Sequence, residues 1–522
     1  MFLLISHSAT GNSPGLEVLS LSPFQRFIVN IGWTTLGKVG VQVILFVISI
    51  LLTRYLGKER LGDYATLLVV PVFIRLLTSF GFETLINKKL PELGIQDSSG
   101  AEGRYLIVRL LIFRFVTTTV FCFLIYHFLS HYFDFINNPG LIEFRWALIF
   151  YFFVITVDSL LSTLFMTLLR FKTLAKTETL GALLNLVFLI VFIRLDYGIY
   201  AILYAYIISI GITSVIYLVL ARDQYLGPVK KPELDDMGQL AWVSYGIGFL
   251  GFGLITQSDV LLMNYFKVGR ADIGLYHLST GLAAAMSFLL AGVAPMALSL
   301  FSETYAKDGI KSLGNLYCQI VGFAAYLTIP VYVFCALNSF PLIDFIYGAT
   351  FLEGTKALAV YAAFAGIQTA FGINFTVSTL YVIRQRDVAM RSTAESSIIN
   401  IALNLVMIPN FGMMGAVMAT GFSMVYMVFR QLKVISTEMD IAPVFSIIGQ
   451  CFVFCLIASV PTLILSGLGQ AHLMINLPVY LTGLVALLII VKPFSDEQRQ
   501  FILNVYPKLD NWSKWFFSTS GN

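Results

Sequence analysis

Charged residues are scarce in this sequence. Only 12% of the 522 residues are Asp, Glu, Lys or Arg, while 58% are apolar, and soluble domains carry roughly 25% charged residues. Long polar connections are missing too, because the two longest segments between apolar runs, 83–104 and 222–240, are too short to fold as separate domains. A soluble multidomain enzyme is therefore excluded, and a membrane enzyme with a large catalytic loop is disfavoured.

Several chemical motifs are absent as well. No G-x-x-x-x-G-K-[ST] phosphate loop occurs, so ATP hydrolysis by this chain is not expected. The five cysteines all lie in apolar runs and form no C-x-x-C pair, which is typical of packing residues. His127 and His131 have helical spacing but lie at the end of an apolar run, so we expect no metal site and no cofactor.

Apolar runs dominate what the sequence does contain. The runs have the length of about 20 residues that crosses a bilayer as a helix, and they predict an all-α polytopic membrane protein with about fourteen transmembrane helices. The predicted spans are 31–53, 64–82, 105–130, 145–169, 178–195, 199–221, 241–266, 275–300, 316–338, 356–381, 394–409, 413–437, 444–466 and 473–492.

The distribution of lysine and arginine predicts the orientation of these spans. With a cytoplasmic N-terminus, the cytoplasmic tails and connections hold 21 basic residues, the outer connections hold 8, and the span interiors hold 4. We therefore expect a multi-pass protein of the inner (cytoplasmic) cell membrane with both termini in the cytoplasm. Residues 1–15 lack the basic start of a cleavable signal peptide, so the first span itself would direct insertion.

Two matching connections indicate an internal duplication. Gly62 and Tyr64 correspond to Gly274 and Tyr276, and the segment 196–198 corresponds to 410–412 at nearly the same spacing along the chain. Six helices separate the copies, so both copies insert in the same direction and predict two pseudo-symmetric six-helix lobes related by an axis along the membrane normal. The predicted segments are an N-terminal cytoplasmic or interfacial segment (1–30), an N-lobe (31–221), a cytoplasmic linker (222–240), a C-lobe (241–437), two extra C-terminal helices (438–492) and a cytoplasmic amphipathic tail (493–522).

The same segments resemble the polysaccharide exporters of the multidrug, oligosaccharidyl-lipid and polysaccharide exporter superfamily, in particular its O-antigen and teichoic-acid type flippases. The likeness covers residues 25–510 and is carried by Thr53–Gly57 with Gly62–Ala65, Gly81 with Pro91-Glu92, Gln257–Asp259, Gly274–Tyr276, Asn400–Asn404, Pro409, Gly412, Gly415-Ala416 and Ala419-Thr420. Phe80 stands where many relatives carry a small acidic residue, so we assign that position no role. The resemblance implies a MATE-like fold with a V-shaped cavity between the lobes, alternating access, and a polyprenyl-diphosphate-linked oligosaccharide as substrate.

Four cations lie inside the predicted spans of the N-lobe rather than at their ends, namely Lys38, Arg75, Arg109 and Arg114. An unpaired cation at a helix centre costs about 2.5–3.5 kcal/mol on insertion scales, and under the predicted orientation all four lie in the cytoplasmic half of the N-lobe. Guanidinium groups bind phosphate oxygens through two hydrogen bonds, so these residues are the predicted binding site for the diphosphate. The alternative is that their long side chains snorkel to the lipid headgroups.

Acidic residues within the spans are fewer. Asp158 lies near the middle of the fourth span, and Asp259 lies near the outer end of the seventh span beside Gln257. Asp158 could form a structural ion pair with an arginine of the third span, or it could belong to a proton or sodium relay. Asp259 and Gln257 could couple ion movement to transport or only orient the connection that follows, and the coupling ion stays open.

The predicted function is therefore the flipping of a lipid-linked oligosaccharide to the outer leaflet for the synthesis of a surface polysaccharide, such as O-antigen or exopolysaccharide. Two alternatives are a multidrug cation antiporter of the same superfamily and a flippase for a peptidoglycan or teichoic-acid precursor. The cations of the first three spans argue against a cationic substrate. The expected partners are the lipid-linked glycan, the bilayer, and a polysaccharide polymerase with glycosyltransferases, but no nucleic acid.

Overall fold

A computed structural model describes residues 23–96, 100–168, 170–231, 245–246, 249–250, 257–287, 290, 294–469 and 472–491. Within these ranges the regular structure is helical, and no β-strand occurs among them. Most of the predicted N-terminal segment, the predicted tail 493–522, part of the predicted linker and most of the seventh predicted span lie outside the described residues.

The first half of the chain contains α1 (Pro23–Leu77), α2 (Phe82–Gln96), α3 (Ala101–Phe135), α4 (Arg145–Thr167), α5 (Phe171–Arg194), α6 (Tyr200–Leu220) and the short α7 (Arg222–Tyr225). Helix α1 is bent at Gly57, whose φ of 71° is not helical, and glycine adopts positive φ without steric cost. Its two arms, 23–56 and 58–77, therefore run as separate helices.

The second half contains α8 (Ser258–Tyr265), α9 (Arg270–Met286), α10 (Ala294–Leu337), α11 (Ser339–Ile346), α12 (Thr355–Ala370), α13 (Ile373–Val382), α14 (Arg386–Phe411), α15 (Met413–Glu438), α16 (Ala442–Gly467) and α17 (Leu473–Val491). Helix α10 is bent at Gly309 in the same way as α1. We refer to α1–α6 as the first lobe, and to α8–α15 together with the described residues 245–246 and 249–250 that precede α8 as the second lobe.

Ten helices in the described part of the chain are long and apolar enough to cross a membrane, which confirms the all-α membrane fold. The number fourteen stays a prediction. One reason for the lower number is that α1 contains the first two predicted spans in one bent helix. Another is that α14 is too polar to count by composition, since buried serines and asparagines follow one of its faces.

The duplication is visible in the backbone as well as in the sequence. A six-residue 3-10 helix at Pro139–Phe144 leads directly into α4, and a second one at Ala349–Gly354 leads directly into α12. The bend at Gly57 has its counterpart at Lys267, which also has positive φ (58°). Lys267 follows Gly57 by the same number of residues by which the second 3-10 helix follows the first. The two lobes therefore repeat the same order of helices, bends and short connections.

The lobes meet at the pair of glycines that revealed the repeat. A Cβ atom on Gly62 would collide with the carbonyl oxygen of Arg270, and a Cβ atom on Gly274 would collide with the carbonyl oxygen of Lys58. Each carbonyl belongs to the residue four positions before the partner glycine, so the contact is reciprocal, as expected at a two-fold axis. Glycine is needed on both sides because two helices approach backbone to backbone. We call this end of the bundle the glycine end.

The largest core cluster draws its residues from both lobes. Leu61 and Leu67 of α1 are buried in it together with Leu275 of α9 and Leu358 of α12. Helices α16 and α17 pack against α10 outside the repeat, where Cys451 and Cys455 are buried and the Tyr480 hydroxyl donates to the Pro330 carbonyl at 2.9 Å.

Candidate functional site

Arg114 of α3 is buried inside the first lobe, with 1% of the residue exposed. Its guanidinium donates to the carbonyl oxygens of Thr78 and Thr156 and, at 3.2 Å, to the Ser159 hydroxyl. It also forms an ion pair with Glu83 at 3.3 Å, and Ser159 donates to the same carboxylate at 3.0 Å. This cation is therefore satisfied by protein groups and connects α3 to α4 and to the start of α2.

These contacts correct one sequence-based interpretation. Asp158 does not pair with an arginine of α3, because Arg114 is already held by Glu83 and because Asp158 lies on another side of α4. Its Oδ1 instead accepts hydrogen bonds from Thr213 and Ser214 of α6, both at 3.2 Å. No signal in the sequence pointed to the Glu83 partnership except that an acid opens α2, a position that helix dipoles alone favour.

Arg75 differs from Arg114 in its surroundings. It is half-buried on the last turn of α1, and within the described part of the chain its guanidinium makes no hydrogen bond or ion pair. It lies within electrostatic reach of Arg114 and of Tyr151 on α4. The structure thus brings two of the predicted site cations together, one satisfied by the protein and one without a described partner.

The other two predicted cations are placed differently. Arg109 is exposed and shares a helix face with Ile112 and Val116, which are 59% and 53% exposed. That face is typical of a lipid-facing surface, where a long side chain snorkels to the headgroups. Lys38 lies in the first arm of α1, and its side chain is outside the described part.

A cavity of about 390 Å³ separates α1, α4, α5 and α6 in the first lobe. Asp158 and Glu178 both line it. So does Asn185, which is 3% exposed and whose Oδ1 has no hydrogen-bond partner among the described residues. The cavity therefore presents oxygen acceptors, as a site for a proton or a cation would.

The second lobe holds a buried carboxylate. Asp259 at the start of α8 is 0% exposed. Its Oδ2 accepts hydrogen bonds from the Tyr276 hydroxyl and the Thr420 hydroxyl, and its Oδ1 accepts one from Asn404 at 2.6 Å. Three helices, α9, α14 and α15, thus supply donors to one carboxylate, which compensates for much of the cost of burying it.

This network extends through Asn400, one turn before Asn404 on α14. The Asn400 Oδ1 accepts from Asn404 at 3.0 Å and from Ser258 at 3.1 Å, and its Nδ2 donates to Thr420 at 3.0 Å. The Oδ1 of Asn404 has no partner in the described residues although it is buried. A site rich in oxygen with one acid and one unused acceptor is chemically suited to a small cation.

Gln257, the remaining predicted site residue, immediately precedes α8 and is half-buried. Within the described part of the chain its side chain makes no hydrogen bond to the Asp259 network. The structure therefore shows Asp259 as a buried polar centre, with Gln257 next to it in the chain but not bonded to it, and the role of both residues in ion coupling stays a prediction.

Charged contacts reinforce the glycine end. Asp63 pairs with Arg270 at 3.0 Å, and Lys58 pairs with Glu353 at 2.8 Å. Arg54 donates at 2.9 Å to two carbonyl oxygens at the end of α11. Every one of these contacts joins the first lobe to the second, so the lobes are closed against each other at this end.

Aromatic rings also join the lobes at the other end of the second arm of α1, about 25 Å from the glycine end. The ring of Phe80 stacks on Tyr245, with centroids 6.0 Å apart and planes inclined by 16°, and Phe73 contacts Phe249 at 5.7 Å. Phe80 has a φ of 46°, a strained value for a non-glycine residue. Phe80 was assigned no role from the sequence because many relatives carry a small acidic residue at that position, and the fold shows that its ring contacts Tyr245.

Comparisons with known proteins agree with this architecture. A family model described as polysaccharide biosynthesis protein matches residues 51–356, more than half of the chain. The chain is 22% identical over 231 residues to the probable low-salt glycan biosynthesis flippase Agl15 of Haloferax volcanii, a match that covers 44% of this chain and 48% of that protein.

Two solved structures share the fold. The lipid II flippase MurJ in an inward closed conformation superposes with a TM-score of 0.66 at 15% identity, covering 86% of this chain and 97% of that one. A multidrug resistance MATE transporter in an inward-facing conformation superposes with a TM-score of 0.63 at 15% identity, covering 76% and 95%. At this identity the likeness establishes the two-lobe fold and no more.

Proposed function

Because the chain belongs to the polysaccharide biosynthesis protein family of the multidrug, oligosaccharidyl-lipid and polysaccharide exporter superfamily, we propose that it is a flippase. Its substrate is a polyprenyl-diphosphate-linked oligosaccharide, which it moves from the cytoplasmic to the outer leaflet of the cell membrane. The observation that carries this proposal is the half-buried Arg75, which has no ion-pair partner in the described part of the chain and lies near Arg114.

A guanidinium without a partner in a membrane helix is costly unless a ligand supplies the counter-charge. A diphosphate offers such a charge and fits the two parallel hydrogen bonds that a guanidinium can donate. Arg114 contributes its positive potential and fixes the end of α1, while its own hydrogen bonds are already used. Lys38 completes the proposed diphosphate site. Arg109 is left outside the proposed site, since it lies on an exposed face with apolar neighbours.

The proposed transport cycle follows from how the lobes touch. The glycine end is closed by backbone contact and by ion pairs, and under the orientation predicted by the positive-inside pattern it lies on the outer side. The diphosphate would bind from the cytoplasmic leaflet when the aromatic contacts at the other end separate, and separation of the lobes at the glycine end would release the head group outside. The glycan would be delivered to a polymerase and its glycosyltransferases.

We propose that ion coupling uses the Asp259 network, with Gln257 beside it, and that the Asp158 cavity is the second candidate. Both sites contain a carboxylate and neutral oxygen groups, which suit a proton or sodium ion equally. The choice of ion is left to experiment.

Two alternative substrates fit the same fold. A lipid II flippase has this fold, and a peptidoglycan or teichoic-acid precursor would use the same cations because it also carries a diphosphate. A multidrug transporter has this fold too, but a drug cation would be repelled by Arg75. The charge of the first lobe therefore favours an anionic head group.

The test is flipping of a short-chain polyprenyl-diphosphate oligosaccharide in proteoliposomes, measured as loss of outer-leaflet label. Losing a charge-assisted hydrogen-bonding partner of phosphate costs about 1.5–3 kcal/mol, so Arg75→Ala should slow flipping by roughly tenfold to a hundredfold. Arg75→Lys should recover part of the rate because it keeps the charge but loses the paired geometry.

Arg109→Ala is the matched control, because it removes an arginine from the lipid-facing side of α3 and should flip at the wild-type rate. Equal rates for Arg75→Ala and the wild type would overturn the diphosphate site. Transport of a lipophilic cation by vesicles that do not flip the lipid would instead establish the drug exporter.

A further inference from the structure

An apolar groove of about 370 Å³ lies between α1, α3 and α8. Val69, Phe73 and Leu77 of α1 form one wall, Phe121 and Leu129 of α3 form another, and Leu261 of α8 completes it. Tyr132 is the only polar residue among the described residues that line the groove. Since α8 belongs to the second lobe, the groove lies on the boundary between the lobes.

The groove opens toward the bilayer rather than toward the polar interior. Leu124 and Phe128 at its mouth are 38% and 63% exposed, which is expected of side chains that face lipid. Phe73 is shared between the groove and the contact with Phe249. The groove is therefore continuous with the interface along which the lobes meet.

A two-fold arrangement of lobes has two such boundaries. The second lies where the first arm of α1 meets α9, and its cavity, lined by Val43, Phe46 and Met286 among others, measures about 120 Å³. It also includes the amide of Gln42. The two boundaries are thus unequal, because the cavity beside α3 is larger and its described lining residues are apolar apart from Tyr132.

A lipid-linked substrate makes use of this difference. Its head group crosses between the lobes, but its hydrocarbon tail stays in apolar surroundings, so the tail must pass through one of the two boundaries. A tail that leaves the lipid gains no hydrophobic energy, and its binding depends on van der Waals contact along a matching apolar wall. A polar amide in the path offers fewer such contacts and loses its own hydrogen bonds.

We propose that the groove between α1, α3 and α8 holds the polyprenyl chain of the substrate while the head group is in transit. This inference rests on the proposed function. The groove and the diphosphate site share the second arm of α1, since Phe73 and Leu77 line the groove and Arg75 lies between them on the other face of the helix. One helix would therefore hold the head group on one side and the tail on the other.

The experiment uses the full chain in proteoliposomes with a polyprenyl-diphosphate disaccharide that carries a diazirine within the isoprenoid chain. After illumination, labelled peptides are mapped by mass spectrometry. Labels should concentrate on 69–77 and 121–132. Labels concentrated at 42–46 and 285–286, or spread evenly over exposed faces such as Ile457 and Val460 of α16, would overturn the proposal.

Leu124→Trp, which adds bulk at the mouth of the groove, should lower labelling and flipping together by about tenfold. Val43→Trp makes a similar change at an exposed position of the second boundary and should leave both unchanged. Because Leu124 and Val43 are partly exposed, both variants should fold. If Leu124→Trp is labelled in the same pattern and amount as the wild type, the groove does not hold the polyprenyl chain.

The outcomes separate the groove from the proposed function. Flipping with labels outside the groove would overturn the groove assignment and leave the flippase function supported. Labels in the groove without flipping would support a polyprenyl-lipid site and overturn the flippase function.

Discussion

The two lobes share a backbone plan but carry different chemistry. Both contain a bend, a six-residue 3-10 helix and a long helix at matching places in the repeat. The first lobe buries Arg114 and half-buries Arg75. In the described part of the second lobe every lysine and arginine is exposed, apart from Arg430, which pairs with Glu395 at 3.4 Å.

The second lobe instead buries a carboxylate in a net of neutral donors around Asp259. Backbone features such as bends and close glycine contacts are needed by both lobes, since each must pack against the other. Buried charges are needed only where a ligand or partner charge is bound. Under the proposed function, this difference makes the first lobe the site for the anionic head group and the second lobe the first candidate for the coupling ion. Arg114→Ala and Asp259→Asn test the charged groups in which the lobes differ, and Gly274→Ala and Arg270→Gln test the contact that the lobes share.

The largest effect is expected for Arg114→Ala. Removing one partner of a buried ion pair costs about 3–5 kcal/mol, because Glu83 and the carbonyls of Thr78 and Thr156 lose their donor. The variant should be recovered from membranes in much lower yield and should unfold at a lower temperature in detergent than Arg109→Ala. Unchanged thermal unfolding would mean that the first lobe does not depend on this cation.

Asp259→Asn should have the second largest effect, because an amide cannot accept hydrogen bonds at both of its polar atoms. Depending on how the amide is turned, its NH2 group would face either Asn404 or both the Tyr276 and Thr420 hydroxyls, at a cost of about 1–3 kcal/mol. Dependence of flipping on a sodium or proton gradient should disappear. Asp158→Asn in the first lobe is the matched control, and loss of the ion dependence in that variant alone would reverse the assignment of the lobes.

Gly274→Ala tests the contact between the lobes. A methyl group at this position would meet the Lys58 backbone, so the closed arrangement of the glycine end should lose population by about tenfold or more. Distances between spin labels across the glycine end should lengthen, while Gly211→Ala, at a position with open space around it, should leave them unchanged. Identical distances would show that the glycine contact is not needed for closure.

The smallest effect is expected for Arg270→Gln at the glycine end. Arg270 is 56% exposed while its partner Asp63 is 9% exposed, and an ion pair with an exposed member contributes at most about 1 kcal/mol. The same spin-label distances should lengthen by only a small fraction of the change expected for Gly274→Ala. About 0.5 M salt should produce the same small change in the wild type, because charges are strongly screened at that ionic strength. A shift as large as that of Gly274→Ala would show that charge, rather than backbone contact, closes this end.

The fold could be predicted from the sequence because the signals are local. A run of about 20 apolar residues forms a transmembrane helix wherever it occurs, and glycines at matching places reveal a duplication without any knowledge of contacts. The prediction that Gly62 and Gly274 are equivalent turned out to have a physical basis, since the two residues touch.

Site residues were predicted less completely. The sequence identified Arg114 as unusual but not its partner Glu83, which is 31 positions away. It identified Asp259 and the pair Asn400 and Asn404 separately, while only the structure joins them. Phe80 was assigned no role because it departs from the small acidic residue of many relatives, and its contact with Tyr245 could not be foreseen because it depends on the turn after α1.

Composition, run length and charge bias were thus sufficient to establish an all-α membrane protein with a repeated plan. Each of these properties depends on short stretches of chain and on the bilayer as solvent. Helix packing, by contrast, was needed to learn which arginine is held by protein groups and which has no partner in the described part of the chain, which acid is enclosed by donors, and which boundary between the lobes has the larger apolar groove. Those properties depend on distances between side chains far apart in the sequence, and only packing of the helices sets those distances.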